Sequence, residues 1–243
     1  MISKQPKVMP YKYIIPIAMA FITIDLAAVS VAYKMVYLNI IFEINSAATF
    51  IFPITYCLGD IVTEVYGYNM ARTLIWYNLF LQFLFAILVT VAVHLPSPIF
   101  WSNGDAYIAV FGSILRFVIA GTIANIASNF MNIYIVSKLK IPFEGRFFWI
   151  RSILSTVVGG FVLVAIVIVV GFAGKDINVY QTWIMFKSTF SLEILYAFLL
   201  AIPAAIVAKF LKFSEKMDVY DYNIHYNPFR FKSPAKMEQP CLE

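Results

Sequence analysis

The sequence predicts an all-α polytopic membrane protein with six transmembrane helices. Three observations carry this. Of 243 residues, 62% are hydrophobic and only 13% charged, against about 45–50% apolar and about 25% charged in soluble domains. A soluble fold of this size lacks the core volume to hide so much apolar surface. The apolar residues also fall into runs long enough to cross a bilayer, which takes about 20 residues, and the cations gather between alternate runs. This composition excludes a disordered chain and a soluble nucleic-acid-binding domain, and two cysteines, Cys57 and Cys241, cannot make a disulfide framework.

Six runs qualify as spans: Tyr13–Tyr33, Leu38–Val62, Leu74–Leu95, Ile108–Val136, Ile150–Phe172 and Ile184–Leu211. The first follows Lys4, Lys7 and Lys12, and Ser30-Val31-Ala32 resembles a small-residue cleavage site. The run is nevertheless longer than a signal-peptide core, contains Asp25 and is followed by five more, so it reads as a retained helix. The fourth and sixth are long enough to tilt or to project from the bilayer. His94–Tyr107 reads as an outer loop, because its prolines break a helix and Phe100 and Trp101 suit the headgroup layer. The expected organisation is one transmembrane domain over residues 1–213 and a polar cytoplasmic tail over 214–243.

Six spans put both termini on one side. If that side is the cytoplasm, it receives Lys4, Lys7 and Lys12, then Arg72, then Lys138, Lys140, Arg146 and Arg151, then Lys209, Lys212, Lys216, Arg230, Lys232 and Lys236. Those are fourteen of the eighteen cations; Lys34 and Lys175 fall outside, and Arg116 and Lys187 within spans. The bias orients the chain with its N- and C-termini cytoplasmic.

The few charges inside the spans are the informative ones, since a buried ionisable group costs roughly 2.5–3.5 kcal/mol on insertion scales and usually faces a bundle interior. Asp60 and Glu64 stand four apart and share a helical face. A cation, a shared proton or a ligand with several N–H donors would relieve their repulsion; so would Arg72 and Arg151 at the helix end, and both uses are open. Glu193 lies deep and is expected to face a cavity, whereas Arg116 and Lys187 sit where they can snorkel outward. Asp25 is as deep, with no partner marked nearby. Asn125, Asn129 and Asn132 form one amide stripe at i, i+4, i+7 spacing, suited to helix packing or to lining a cavity, and Ala28-xxx-Ala32 is a small-residue contact pattern. His94 and His225 lack metal-ligand company, so neither a metal nor a cofactor is expected.

The sequence contains no G-x-x-x-x-G-K-[ST] phosphate loop, no H-E-x-x-H, no C-x-x-C and no G-x-S-x-G. An enzyme would have only scattered carboxylates to work with. A transporter needs just a cavity and a few convergent polar groups.

The stretch from Phe52 to Tyr68, FPITYCLGDIVTEVYGY, resembles the signature of the queuosine precursor transporter family, also described as a vitamin-uptake-like family of six-span bacterial proteins. Lys140 with Glu144-Gly145-Arg146, Trp149-Ile150-Arg151-Ser152 and Ser155-Thr156-Val157-Val158-Gly159 resemble its fourth-to-fifth connection. Lys187, Glu193 and Pro203 resemble its last span, and Asp218-Val219-Tyr220-Asp221 with Asn227-Pro228-Phe229 its tail. The resemblance implies uptake of 7-cyano- or 7-aminomethyl-7-deazaguanine, an inner-membrane location and a fold similar to the substrate-binding subunits of energy-coupling-factor transporters. Two departures bear on the substrate: Leu163 stands where the family commonly has an Asp, and Val29 where it tends to have an Asn shortly before Lys34.

A deazaguanine offers N–H donors on its pairing edge and a flat π face. Asp60, Glu64 or Glu193 would read the edge, and Trp76, Tyr56 or Phe52 would stack on the face. Lys34, Lys187 and Arg151 would balance the cavity charge. Alternatives are a transporter for another purine-like or vitamin-like molecule, and a membrane-embedded lipid-modifying enzyme using Asp60-xxx-Glu64. The bilayer and a small molecule are the expected partners, with no nucleic acid; homo-oligomerisation and a partner ATPase module stay open.

Overall fold

The computed structural model describes residues 11–38, 42–98, 100–172 and 179–229. Lys4, Lys7, Lys175, Arg230, Lys232, Lys236 and Cys241 lie outside the described residues. Most of the described chain is helical. Helix α1 spans Ile14–Val31, α2 Pro53–Tyr66, α3 Tyr68–Val93, α4 Gly104–Phe111, α5 Ile114–Lys140, α6 Phe148–Phe172 and α7 Val179–Glu215. Four stretches are each long and apolar enough to cross a membrane: Ile14–Val31, Tyr68–Val93, Phe148–Val167 and Thr182–Glu215. A fifth, Gly104–Ile119 with Gly121–Lys140, qualifies as a pair bent by 53°.

Two expected spans change form. Leu38–Val62 is not one helix. A hairpin forms instead, from β1 (Met35–Leu38) and β2 (Phe42–Ser46), followed by a 3-10 turn over Ala47–Phe50 and then α2. Met35 pairs with Ser46 and Tyr37 with Ile44, and a bulge follows before Leu38 meets Phe42. Glu43, Asn39 and Asn45 are costly on a lipid-facing helix, and the β-branched Val36 and Ile44 suit a strand. Irregular backbone at membrane depth is tolerated where protein covers it. Here Asn45 is 1% exposed, donates to Ser188 Oγ at 2.7 Å and accepts from Thr189 Oγ1 at 3.1 Å, both on α7. Pro53 then starts α2 at the position where its missing N–H costs nothing. The other change lies between α4 and α5, where Gly112 and Ser113 interrupt the expected Ile108–Val136 helix.

The 14 residues of α2 reach about 21 Å, short of a full crossing. Even so, α1, α2, α3, α5, α6 and α7 run alternately up and down. Tyr13 at the start of α1, Tyr66 and Tyr68 around the α2–α3 break, Lys140 ending α5, Arg151 opening α6 and Lys212 near the end of α7 all meet at one end of the bundle. The chain after α7 folds back over this end, called here the tail end; the hairpin lies at the other.

The core at the tail end is apolar, with Phe21, Val62, Val65, Leu74, Ile75, Phe130, Ile133 and Leu211 buried together. The outside is apolar too: Ile15, Phe80, Leu88, Ile119, Ile202 and Ile206 are each more than half exposed, while Asp25, Asp60, Glu64, Arg151 and Glu193 are all at most 2% exposed. Soluble monomers do not bury charge and expose contiguous apolar surface in this way. A multi-pass membrane protein does.

The turn from α2 to α3 depends on Gly67, whose φ of +83° favours glycine. A Cβ there would stand 2.8 Å from Val219 Cγ1 and 3.0 Å from Asp221 Oδ1. Asp221 accepts from the Tyr68 N–H at 2.9 Å and from Ser137 Oγ at 2.6 Å, fixing the tail to α3 and α5. Gly67→Ala is therefore expected to cost about 1–3 kcal/mol through strain and to release the tail. Thermal unfolding in detergent, with protease cleavage at residues 216–229 as the second readout, checks both effects.

Candidate functional site

Polar groups gather in the middle of the bundle from four helices. Asp60 on α2 is fully buried and accepts from Ser152 Oγ of α6 at 2.5 Å, with Ser155 Oγ at 3.4 Å. Ser152 and Ser155 share a helix face by their i, i+3 spacing, which aims both hydroxyls at one carboxylate. The Asn132 amide of α5 stands beside Asp60, and its Nδ2 has no hydrogen-bond partner among the described residues by strict geometry. Glu193 of α7 is 2% exposed with Oε2 unpartnered, and the Tyr56 hydroxyl of α2, within electrostatic reach of both carboxylates, is unpartnered as well.

The close approach of α6 makes this meeting possible. Gly159 lies against Ser128 and Asn132 of α5 and the ring edge of Tyr56. A Cβ at Gly160 would run into Glu193 Oε2, so the carboxylate occupies the space that glycine leaves. Buried polar atoms without partners are costly, about 1–3 kcal/mol each, and rare in folded proteins. Among the described residues three such atoms come from α2, α5 and α7: the Tyr56 hydroxyl, the Asn132 amide nitrogen and Glu193 Oε2.

A second buried group lies between α1 and α3. Asp25 accepts from Asn78 Nδ2 at 2.7 Å and from the Gln82 amide, and Asn78 Oδ1 is left without a partner. Asn78 and Gln82 stand four apart on α3, so the partners unmarked near Asp25 in the sequence are an i, i+4 amide pair in an apolar run.

Glu64 belongs to a third group, at the tail end. Arg151 grips it bidentately, Nη1 to Oε2 at 2.7 Å and Nη2 to Oε1 at 3.0 Å. Lys212 donates to Oε1 at 2.5 Å, and Lys140 donates to the Glu64 carbonyl at 2.6 Å. Asp218 of the tail joins Lys140 at 2.5 Å and Lys212 at 2.9 Å. Behind it, burial pushes the Asp221 carboxyl up from its ordinary value, and the Ser137 and Tyr68 donors oppose the shift.

The structure thus separates residues that the sequence grouped. Asp60 and Glu64 share α2 and diverge in partners: the Ser152 and Ser155 hydroxyls for Asp60, three cations for Glu64. Arg151 serves Glu64, whereas Arg72 instead donates to the Asn227 carbonyl of the tail at 3.2 Å. Trp76 faces the tail, its Nε1 donating to the Pro228 carbonyl at 2.9 Å and its ring between Phe130 and Phe229. Tyr56 lies in the central group, with Phe52 edge-on at 5.1 Å. Asn125 is half-buried, and its backbone carbonyl accepts from Asn129 Nδ2 at 2.9 Å. Lys34, Lys187 and Arg116 are exposed and do not enter the buried groups. Leu163 and Val29 are half-buried. His94 and His225 are exposed, and among the described residues no group of His, Cys, Asp and Glu is arranged to hold a metal ion. A hollow of about 500 Å³ lies elsewhere, between the α1 end, α3 and α4, lined by Phe85, Val89, Trp101, Tyr107 and Phe111. Its lining holds no Asp, Glu, Lys, Arg or His.

Sequence reasoning missed the donors Ser152, Ser155, Asn78 and Gln82, the space left by Gly160 and the closure of the Glu64 group by Asp218. Polar residues at i, i+3 or i, i+4 in apolar runs were the available signal for the donors.

An apolar exterior, alternating helices and a polar centre built from several of them define a multi-pass membrane protein suited to carrying a small solute. The family model described as "Putative vitamin uptake transporter" matches residues 46–208, and the chain belongs to that family. No curated protein and no solved structure matches it.

The Glu64 group yields a stability test. Removing one partner from a buried ion pair costs about 3–5 kcal/mol, because the other charge is stranded. Arg151→Gln is expected to lower the thermal unfolding midpoint in detergent sharply. Lys212→Gln, whose side chain is 22% exposed, is expected to lower it much less.

Proposed function

We propose that this protein imports 7-cyano- or 7-aminomethyl-7-deazaguanine across a bacterial inner membrane, with the tail end cytoplasmic. The observation carrying this reading is the set of buried atoms without partners among the described residues, Tyr56 Oη, Asn132 Nδ2 and Glu193 Oε2, with Tyr56 in electrostatic reach of both Asp60 and Glu193. The pairing edge of a deazaguanine offers adjacent N–H donors beside a carbonyl. Glu193 can accept from the donors, Asn132 can donate to the carbonyl, and Tyr56 supplies a ring for the face. The resemblance of Phe52–Tyr68 to the queuosine precursor transporters covers two of these residues, Tyr56 and Asp60.

Orientation follows from charge. Lys12, Arg72, Lys138, Lys140, Arg146, Arg151, Lys209, Lys212 and Lys216 lie at the tail end, against Lys34, Arg116 and Lys187 towards the hairpin end. Cytoplasmic ends carry the excess of cations. The hairpin and 3-10 turn complete the crossing that α2 begins, giving six crossings and returning both ends of the chain to the cytoplasm.

The test is uptake by cells unable to make queuosine, scored as queuosine in tRNA, together with binding of each deazaguanine to the purified protein. Guanine and water-soluble vitamins serve as competitors. A hydrogen bond to a charged group contributes roughly 1.5–3 kcal/mol, so Glu193→Gln and Asp60→Asn are expected to weaken binding by roughly 10- to 150-fold while the protein stays folded. Unchanged uptake in both variants would sink the edge-reading arrangement. Tighter binding of a vitamin than of either deazaguanine would reassign the substrate.

A further inference from the structure

A second hollow, of about 180 Å³, opens at the tail end between the start of α6 and the last turns of α7. Its lining includes Phe148, Ala205, Ala208, Lys209 and Lys212, with Glu64 at its floor. The two alanines leave the space, and the two lysines reach into it from the same helix.

The charges around this hollow do not cancel. Glu64 and Asp218 bring two negative charges against three positive ones from Arg151, Lys140 and Lys212, so this network already holds one positive charge in excess. The adjoining turn carries one exposed charge of each sign, Glu144 and Arg146. Lys209 is left over: it is exposed, and no hydrogen bond or ion pair is made by it among the described residues. The site therefore presents a surplus positive charge at the mouth of a cavity.

Its position shows what would meet that charge. Ile202 and Ile206 are 66% and 65% exposed and share a face with Lys209, at i, i+4 and i+7. The stripe faces lipid, and Lys209 ends it. Trp149 and Phe147, 47% and 55% exposed at the start of α6, mark the headgroup layer beside it. A lysine at this level extends towards headgroup phosphates, and basic hollows between membrane helices receive them.

We infer that the Lys209–Lys212 hollow binds the phosphate headgroup of an anionic membrane lipid. The acyl chains lie along the Ile202–Ile206 stripe, and the phosphate enters between the two lysines. Because Lys212 also holds Glu64 and Asp218, an occupied hollow draws on the same ammonium that closes the tail end.

Thermal unfolding of the purified full-length protein in a neutral detergent tests this, with phosphatidylglycerol, phosphatidylcholine and inorganic phosphate added separately. Phosphatidylglycerol is expected to raise the midpoint saturably, and phosphatidylcholine is not. Lys209→Gln, a surface change that leaves the Glu64 group intact, is expected to need about fivefold more phosphatidylglycerol for half the effect, and Lys209→Arg to titrate like the unaltered protein. Equal responses to the two lipids, or a Lys209→Gln titration indistinguishable from that of the unaltered protein, would overturn the site. The same rise with inorganic phosphate alone would show a free-anion site and overturn the lipid assignment.

Discussion

The Glu64 carboxylate is 1% exposed and paired with three cations, and much of the tail end is arranged around it. A buried carboxylate survives only with partners that replace water on every side. Arg151 supplies a rigid fork from α6, Lys212 a point charge from α7 and Lys140 a third cation from α5. These bring an excess of positive charge, which the tail answers with Asp218. The tail is thereby drawn back over the bundle, where Asp221, Asn227 and Pro228 accept from Tyr68, Ser137, Arg72 and Trp76. One ionised group on a short helix thus fixes the relative positions of α2, α5, α6, α7 and the chain beyond.

The central group follows the opposite rule. There Asp60 meets hydroxyls, and several buried polar atoms have no hydrogen-bond partner among the described residues. Saturated at the tail end and unsaturated in the middle, the described bundle has one region whose polar groups are paired within the chain and another where several are not. Such a division suits a protein that must stay assembled while releasing and accepting a solute.

The sequence made α1, α3, α6 and α7 legible, because a bilayer permits few alternatives to a long apolar helix. It misled at Leu38–Val62. Hydropathy does not distinguish a lipid-facing helix from a covered strand, and Glu43, which argues against the former, lies among the apolar residues that made the run look uniform. Within the site, the carboxylates and the amide stripe were visible as types. Their partners were not, since Asp60 meets Ser152 across 92 residues of chain and Asp25 meets Asn78 across 53. The opposite fates of Asp60 and Glu64, one turn apart, depend on which neighbouring helix faces each, and that is a property of packing alone.

The return of residues 216–229 over the bundle has a practical consequence. A hydropathy profile shows the protein ending with α7, so a deletion after Glu215 looks like the loss of an idle appendage. It would in fact remove the counter-ion of Lys140, the acceptor that caps the first turn of α3 and the carbonyl that holds the Trp76 indole. Reporter fusions and labels intended to leave the membrane domain undisturbed belong beyond Phe229.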